Sequence, residues 1–251
     1  MAGGGAPAVA ANRVDSPLRE ALARVDDRCV SSTSETAPSA VALLGAAFAH
    51  RYRYRSGFPG WRATAVLQRE APRSALRAHV EVTGPGQVQV DPIDAISVHD
   101  AEWLLQEVRA MSRTLYGHDF EVGEGRFAMS LDSSPHVLGP LIVLHDDPHD
   151  ATFRVRRHRV TLATRRNGSL HETVRVDRWH VRPDGRWLPA QWTADVRSAQ
   201  LERPLRTDRY WDVFWPLGGV VVPQLRRVET VDDLGIKLVH AVHLRDWRLL
   251  A

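Results

Sequence analysis

Cysteine and lysine are almost absent from this chain of 251 residues, and each absence narrows what the protein can be. Cys29 is the only cysteine, which excludes a disulfide within the chain and fits a reducing compartment. Lys237 is the only lysine, so arginine supplies the rest of the 33 basic residues. These are interspersed with 30 acidic residues and leave a net charge of +3, which argues against a nucleic-acid-binding surface.

Long apolar runs are missing as well. The segment AVALLGAAFA (40–49) has ten residues, whereas a helix needs about 20 to cross a membrane. The first residues lack the basic flank and the continuous apolar core of a signal peptide. We therefore expect a cytoplasmic protein with no membrane span.

Signatures of nucleophilic and phosphate chemistry are also missing. No G-x-S-x-G occurs, Cys29 falls on the apolar side of a predicted helix, and no glycine-rich loop follows a predicted strand. The segment HDDPHD (145–150) combines imidazole and carboxylate groups that suit a divalent metal. However, Asp-Pro favours a turn and successive acids repel each other, so we expect a solvated turn, no metal and no cofactor.

Helix signals are confined to three parts of the chain. The first helix is predicted over 16–29, where Ser16 can cap it and Pro17 suits its first position. The second should begin near Pro38 and continue through AVALLGAAFAHRYR, and the third covers 100–117 with Asp100 as its cap. We expect a flexible N-terminus with one short helix over 1–37 and a single domain over 38–251.

From Trp61 onward, side chains alternate between apolar and polar as they do in strands. Because no strand–helix–strand alternation is visible, the sheet should be antiparallel. The prediction is an α+β fold in which two or three helices pack on a long, curved sheet, a half-barrel or partial barrel with an apolar cup. The strand-like segments are WRATAVLQRE (61–70), SALRAHVEV (74–82), GQVQVDP (86–92), RFAMSLD (126–132), VLGPLIVLHD (137–146), ATFRVRRHRVTLATRR (151–166), SLHETVRVDRWHVR (169–182), RWLPAQWTADVRS (186–198), VVVPQLRRVETV (220–231) and GIKLVHAVHLRDW (235–247).

The segment HRYRYRSGFPGWRAT (50–64) joins the second helix to the first strand. Gly57, Pro59 and Gly60 are predicted to end that helix and to turn the chain into the sheet. The aromatic residues around them should pin the helix end onto the strand, which is a packing role.

Four segments carry a resemblance to a known family. They are AHRYRYRSGFPGWRA, FRVRRHRVTLATRRNG, PDGRWLPAQW and WPLGGVVVPQLRRV. Together they resemble DUF3386, a family of bacterial and cyanobacterial proteins of unknown function. The rhythm of strands and turns is also similar to lipoprotein-carrier-like half-barrels, a likeness that implies a concave sheet able to hold acyl chains. Neither resemblance implies a catalytic residue.

The histidines on the predicted strands are candidates for residues that accept or donate a proton. His240 shares a strand face with Leu238 and Val242, so it should be buried or face a cavity. His240 and His243 point to opposite faces and do not make a metal-ligand pair. Adjacent strands could bring His180 or His240 near Asp195 and so form a site that moves a proton. Solvated cross-strand charge pairs are the alternative.

The aromatic segment YWDVFWPLGG (210–219) predicts contact with an apolar ligand. It can form a wall or lid with Gly218 and Gly219 as the hinge, or simply a loop that covers the core. The predicted ligand-binding residues are Trp179, Trp192, Tyr210, Trp211, Phe214 and Trp215.

Three classes of function fit these features. The first is a cofactor-independent cyclase or isomerase of secondary metabolism that folds a hydrophobic small molecule inside the cup. The second is a non-catalytic carrier that binds a lipid-like ligand in the same place. The third is a metal-dependent oxidoreductase that uses the histidines. The soluble character of the chain favours the enzyme over the carrier.

Overall fold

The computed structural model describes residues 38–70, 73–201 and 203–251. The predicted helix over 16–29 lies outside these residues, and the proposed division of the chain at residue 37 stays a prediction. Among the described residues, neither helix has the length and apolar character that a membrane crossing requires.

Twelve strands form one open antiparallel sheet whose edges are β3 and β4. The strands follow one another across the sheet in the order β3-β2-β1-β12-β11-β10-β9-β8-β7-β6-β5-β4. The predicted antiparallel sheet with packed helices is therefore confirmed. The strands are β1 Trp61–Glu70, β2 Arg73–Gly84, β3 Gln87–Pro92, β4 Ala128–Asp132, β5 Leu141–His145, β6 Thr152–Arg156, β7 Arg159–Asn167, β8 Leu170–Val181, β9 Trp187–Ser198, β10 Pro204–Leu217, β11 Val220–Asp232 and β12 Lys237–Leu249.

Within the described residues, two α-helices accompany the sheet, α1 (Ala40–Ala49) and α2 (Val98–Tyr116), together with a short 3-10 turn at Glu124–Arg126. The side chain of Ser97 caps α2 by accepting a hydrogen bond from the backbone N–H of Asp100 at 3.1 Å. The prediction that Asp100 is the cap is therefore wrong. Gly117 ends the helix with a φ of 61°, as predicted from its type.

The helix α1 is shorter than predicted. It ends at Ala49, because the chain beyond it pairs with other elements instead of continuing the helix. The N–H of Tyr52 donates to the carbonyl of Trp187 at 2.8 Å, and that of Tyr54 to the carbonyl of Leu115 at 2.7 Å. Both tyrosine rings are buried in this extended conformation. The glycines and proline at 57–60 therefore do not end the helix.

Gly60 has a different role from the one predicted. Its φ is +113°, and a Cβ there would lie 1.9 Å from the carbonyl oxygen of Val82. Only glycine allows β2 to approach this closely. The next residue, Trp61, is fully buried, and its ring centroid lies 4.7 Å from that of Trp247. Trp61 thus has a packing role, but its core cluster contains no residue of α1, so it does not pin the helix end onto the strand as predicted.

The predicted long strand over 151–166 is in fact a hairpin. Arg157 and His158 form the turn between β6 and β7 with φ values of 51° and 56°. Tight hairpin turns need such positive φ angles and usually take them from Asn and Gly. Here the indole N–H of Trp187 donates to the carbonyl of His158 at 3.0 Å and supports the turn through tertiary contact. The sequence offered no turn residue to reveal it.

Both helices pack against the same side of the sheet, which we call the covered face; the other side is the open face. The residues Phe153, Ala163, Val174, Ala194 and Asp208 form one row on the covered face from β6 to β10. At one end of the sheet α1 buries Leu44 against β5 and β6. At the other end α2 buries Leu104 and Val108 against β1, β2 and β12.

Candidate functional site

The middle of the covered face lies between the two helices. The helix α1 lies over β4, β6 and β7, whereas α2 lies over β2 and β3. The covered face of β8, β9 and β10 therefore carries side chains that neither helix covers fully. We define the central strip as its partly buried apolar and aromatic residues: Val174, Val176, Trp192, Val196 and Tyr210.

Trp192 and Tyr210 form the centre of the strip. They are direct cross-strand partners on β9 and β10, and their rings stack with centroids 3.6 Å apart and planes 6° from parallel. On either side of this pair, Val176 of β8 and Val228 of β11 complete the row. The result is a stacked aromatic pair flanked by valines.

A buried ion cluster lies beside this stack. The guanidinium of Arg226 donates from Nε and Nη2 to the two carboxylate oxygens of Asp212, each at 2.7 Å. Its third nitrogen donates to Oε2 of Glu107 at 3.1 Å. The charged carbon lies 5.3 Å from the ring centre of Tyr210 and 5.7 Å from that of Trp192. The cluster thus ties α2 to β10 and β11 and fixes the aromatic pair.

Two side chains at the strip, Glu107 and Tyr210, have raised pKa values and so keep their protons more readily than usual. Burial raises the pKa of Glu107, although the neighbouring Arg226 opposes that shift. Burial also raises the pKa of Tyr210, and the carboxylates of Glu107 and Asp208 raise it further. Tyr210 therefore stays a neutral phenol, and Glu107 holds a proton more readily than an exposed glutamate does.

His240, a predicted catalytic residue, lies on the covered face at the edge of α2. It is buried, and its ring stacks on that of Trp103 with centroids 4.6 Å apart. Burial lowers its pKa, and the nearby charge of Arg69 lowers it further. The imidazole is thus held neutral between α2 and β12.

Acidification should destabilise the fold through His240. Its pKa in the folded state lies below the ordinary value of about 6.5, so in that window the unfolded chain binds more protons. Stability is then full above that ordinary value and is lost as the pH falls toward the folded-state pKa. We expect His240→Phe, which keeps a ring on Trp103, to flatten the fall of Tm between about pH 7.5 and 5 in thermal melts.

Burial lowers the pKa of His180 as well. This histidine is present in both the wild type and His240→Phe, so it does not affect the comparison. Equal slopes of Tm against pH in the wild type and His240→Phe would show that His240 is not the group responsible.

The structure does not bring the three predicted catalytic residues together. His180 is on the covered face opposite Leu188, whereas Asp195 is on the open face, where it accepts a hydrogen bond from Thr207 at 2.7 Å. His240 is three strands away from Asp195 and on the opposite face. The expected proximity fails because Asp195 lies between two residues of the covered face, Ala194 and Val196, and so must point away from it.

The aromatic segment 210–219 is a strand end and not a lid, so that interpretation is wrong. It belongs to β10, and Gly218 and Gly219 form a two-residue turn with φ values of 55° and 82°. Trp211 and Trp215 are on the open face; Trp215 is 54% exposed. Phe214 is on the covered face and buried in the core.

Trp179 also lies away from the central strip. Its partner across the β8–β9 pair is Pro189, on the open face, and the guanidinium of Arg159 lies 5.5 Å from its ring centre. Of the six predicted ligand-binding residues, only Trp192 and Tyr210 therefore belong to the strip.

The segment HDDPHD forms the loop between β5 and β6. A carboxylate oxygen of Asp147 accepts a hydrogen bond from the N–H of Ala151 at 2.9 Å, which closes the loop. Within residues 38–70, 73–201 and 203–251, no group of three or more potential ligands is placed to hold a metal ion. The expected absence of a metal stays a prediction.

Arg226 and Glu107 are not among the site residues predicted from the sequence. Arg226 had a detectable signal, because it alternates with Val228 and so belongs on the buried side of its strand. Glu107 had none, since its partner is 119 residues away along the chain.

Two surface depressions of the described residues lie elsewhere. One, of about 380 Å³, is lined by residues that include Val66, Val213 and His243, and the other, of about 470 Å³, by residues that include Arg62 and His79. Neither is lined by the central strip. A ligand on the strip would therefore lie on a surface between the helices and not inside a closed cavity.

The geometry defines an α+β protein with an open twelve-stranded antiparallel sheet and an aromatic strip between two helices. The family model described as "Protein of unknown function (DUF3386)" matches residues 35–250, so the chain belongs to this family. The resemblance found in the sequence is thereby confirmed.

Comparison with curated proteins finds no match to this sequence. Among solved structures, the crystal structure of a LolA superfamily protein from Nitrosomonas europaea is similar over 86% of this chain and 95% of its own. The identity is 15% and the TM-score is 0.36, so this likeness carries no functional argument.

Proposed function

We propose that the protein binds a small apolar molecule on the central strip. The observation that carries this proposal is the stacked pair of Trp192 and Tyr210, which is only partly buried on the face that elsewhere forms the core. Aromatic surface of this size is normally buried, because its exposure to water is costly. A flat apolar ligand that covers the pair would remove this cost.

The strip is also pre-organised for binding. Arg226 is held by two hydrogen bonds to Asp212, and its charge lies within 6 Å of both ring centres. Little side-chain freedom is left to lose when a ligand binds, which favours affinity.

Non-catalytic binding is the function we favour, because it needs only the surface. A cofactor-independent isomerase or cyclase is the second candidate, and Glu107 supports it. This carboxyl group adjoins the strip through Arg226 and its pKa is raised by burial, so it can hold a proton near an apolar ligand. In that case Glu107 takes the role first assigned to His180, Asp195 and His240.

Titration with the neutral dye Nile red tests binding on the strip. We expect Trp192→Ala to weaken dye binding about tenfold, because it removes half of the aromatic stack. Trp192→Phe keeps a ring on Tyr210 and should retain most of the affinity. Trp215→Ala is the matched control, since it removes an indole from the open face.

Thermal melts of each variant separate lost binding from lost folding. If Trp215→Ala weakens dye binding and Trp192→Ala does not, the ligand lies on the open face and the proposal is wrong.

A further inference from the structure

Three hairpins end side by side at the same end of the strands. They connect β7 to β8, β9 to β10 and β11 to β12, which are consecutive across the sheet. The pairing of Leu170 with Ser198 joins the first tip to the second, and that of Arg206 with Asp232 joins the second to the third. We call the exposed apolar residues of these tips the tip surface: Leu170, Leu201, Leu234, Ile236 and Leu238.

The composition of the tips is unusual. Hairpin tips are normally built from Gly, Asn, Asp and Ser, which are compatible with water. Here Leu201 is 73% exposed and Leu234 is 77% exposed, and both lie in the turn itself. Neither contributes to the two core clusters. Packing within the sheet therefore does not explain these leucines.

The three tips are tied together. The N–H of Ala199 donates to the carbonyl of Ser169 at 2.8 Å, which links the first tip to the second. An ion pair between Arg203 and Asp233 links the second to the third. These contacts hold the three tips, and the leucines they carry, side by side at the same end of the strands.

Among the described residues of the tips, the cation is the more exposed partner in each of three ion pairs. The side chains of Arg203, Arg206 and Lys237 are 55%, 54% and 54% exposed. Their acidic partners Asp233, Asp208 and Glu229 are only 28%, 5% and 11% exposed. Water therefore reaches the cationic side chains of these pairs more fully than their carboxylate partners.

We propose that the tip surface docks on an anionic lipid bilayer. Leucines that project from separate tips can enter the boundary between headgroups and acyl chains without a complementary pocket. The surrounding arginines and lysine would meet the negative headgroups, which adds to the attraction. The proposal goes beyond ligand binding on the central strip and does not depend on it.

Co-sedimentation of the full chain with vesicles tests the docking. We expect binding to vesicles of phosphatidylcholine mixed with phosphatidylglycerol, less binding to phosphatidylcholine alone, and a loss at raised salt. The double variant Leu201→Ser, Leu234→Ser should lower the partition into the mixed vesicles about tenfold. Val137→Ser is the matched control, because it removes a valine that is 75% exposed at the opposite end of the strands.

Three results would overturn the proposal. The first is no binding of the wild type to the mixed vesicles. The second is equal binding by the wild type and the double variant. The third is a wild-type dimer that the double variant converts to a monomer without any vesicle binding, which would make the tip surface an interface between copies. Trp192→Ala should leave vesicle binding intact, so failure of this proposal is distinguishable from failure of the proposed function.

Discussion

Replacing Asp212 with alanine is expected to lower the free energy of unfolding by about 3–5 kcal/mol. Asp212 supplies both carboxylate oxygens to Arg226, whose side chain is almost completely buried. Without it the guanidinium keeps only the bond to Glu107 and remains a poorly compensated charge in the core. Chemical denaturation of the variant and the wild type measures the difference.

The matched control is an exposed ion pair of the same sheet. Arg165 and Glu172 face each other across β7 and β8, and the arginine side chain is 63% exposed. Glu172→Ala should cost less than about 1 kcal/mol, because water screens and solvates both charges. If Asp212→Ala costs no more than this control, the cluster does not hold α2 on the sheet. Arg226→Met combined with Asp212→Leu and Glu107→Gln should recover part of the loss, since no charge of the cluster is then left unpaired.

Trp61→Ala should have an effect of similar size, about 3–5 kcal/mol, because it opens a cavity in the core. Trp61 is fully buried, packs against Trp247 and begins β1 immediately after the close approach at Gly60. The variant should unfold at a lower denaturant concentration with an unchanged dependence on denaturant, which equilibrium unfolding measures.

Trp215→Ala is the comparison for this second prediction. The same change of side chain occurs at a site that is 54% exposed, so the expected loss is below about 1 kcal/mol. A large loss at Trp215 together with a small one at Trp61 would reverse our assignment of the covered and open faces.

The Asp212→Ala variant also tests the candidate site on the central strip. Arg226 contacts the aromatic pair, and Glu107 reaches it from α2, so loss of Asp212 should loosen the strip as well as the fold. Dye binding to Asp212→Ala is therefore expected to fall, whereas Trp61→Ala changes a part of the core that the strip does not include. The two variants separate general destabilisation from damage to the strip.

Local signals were enough for most of the sheet. The alternation in WRATAVLQRE predicts β1 from Trp61 to Glu70, and the structure has the same bounds. Prediction failed at β10, where Asp208 and Asp212 take positions on the covered face that apolar residues normally occupy. Asp212 is paired with the buried guanidinium of Arg226, and Asp208 accepts a hydrogen bond from the hydroxyl of Thr230. Both partners belong to β11, so neither contact is visible in the local pattern of β10.

The sequence by itself determined that the chain forms an antiparallel sheet with helices, because period-two alternation and turn residues act over a few neighbouring positions. Tertiary structure alone decided the site. The contact between Glu107 and Arg226 spans 119 residues, and the cross-strand register decides that Trp192 meets Tyr210 while Asp195 points away. A shift of one residue moves every side chain to the other face, so register must be known before any such residue can be placed.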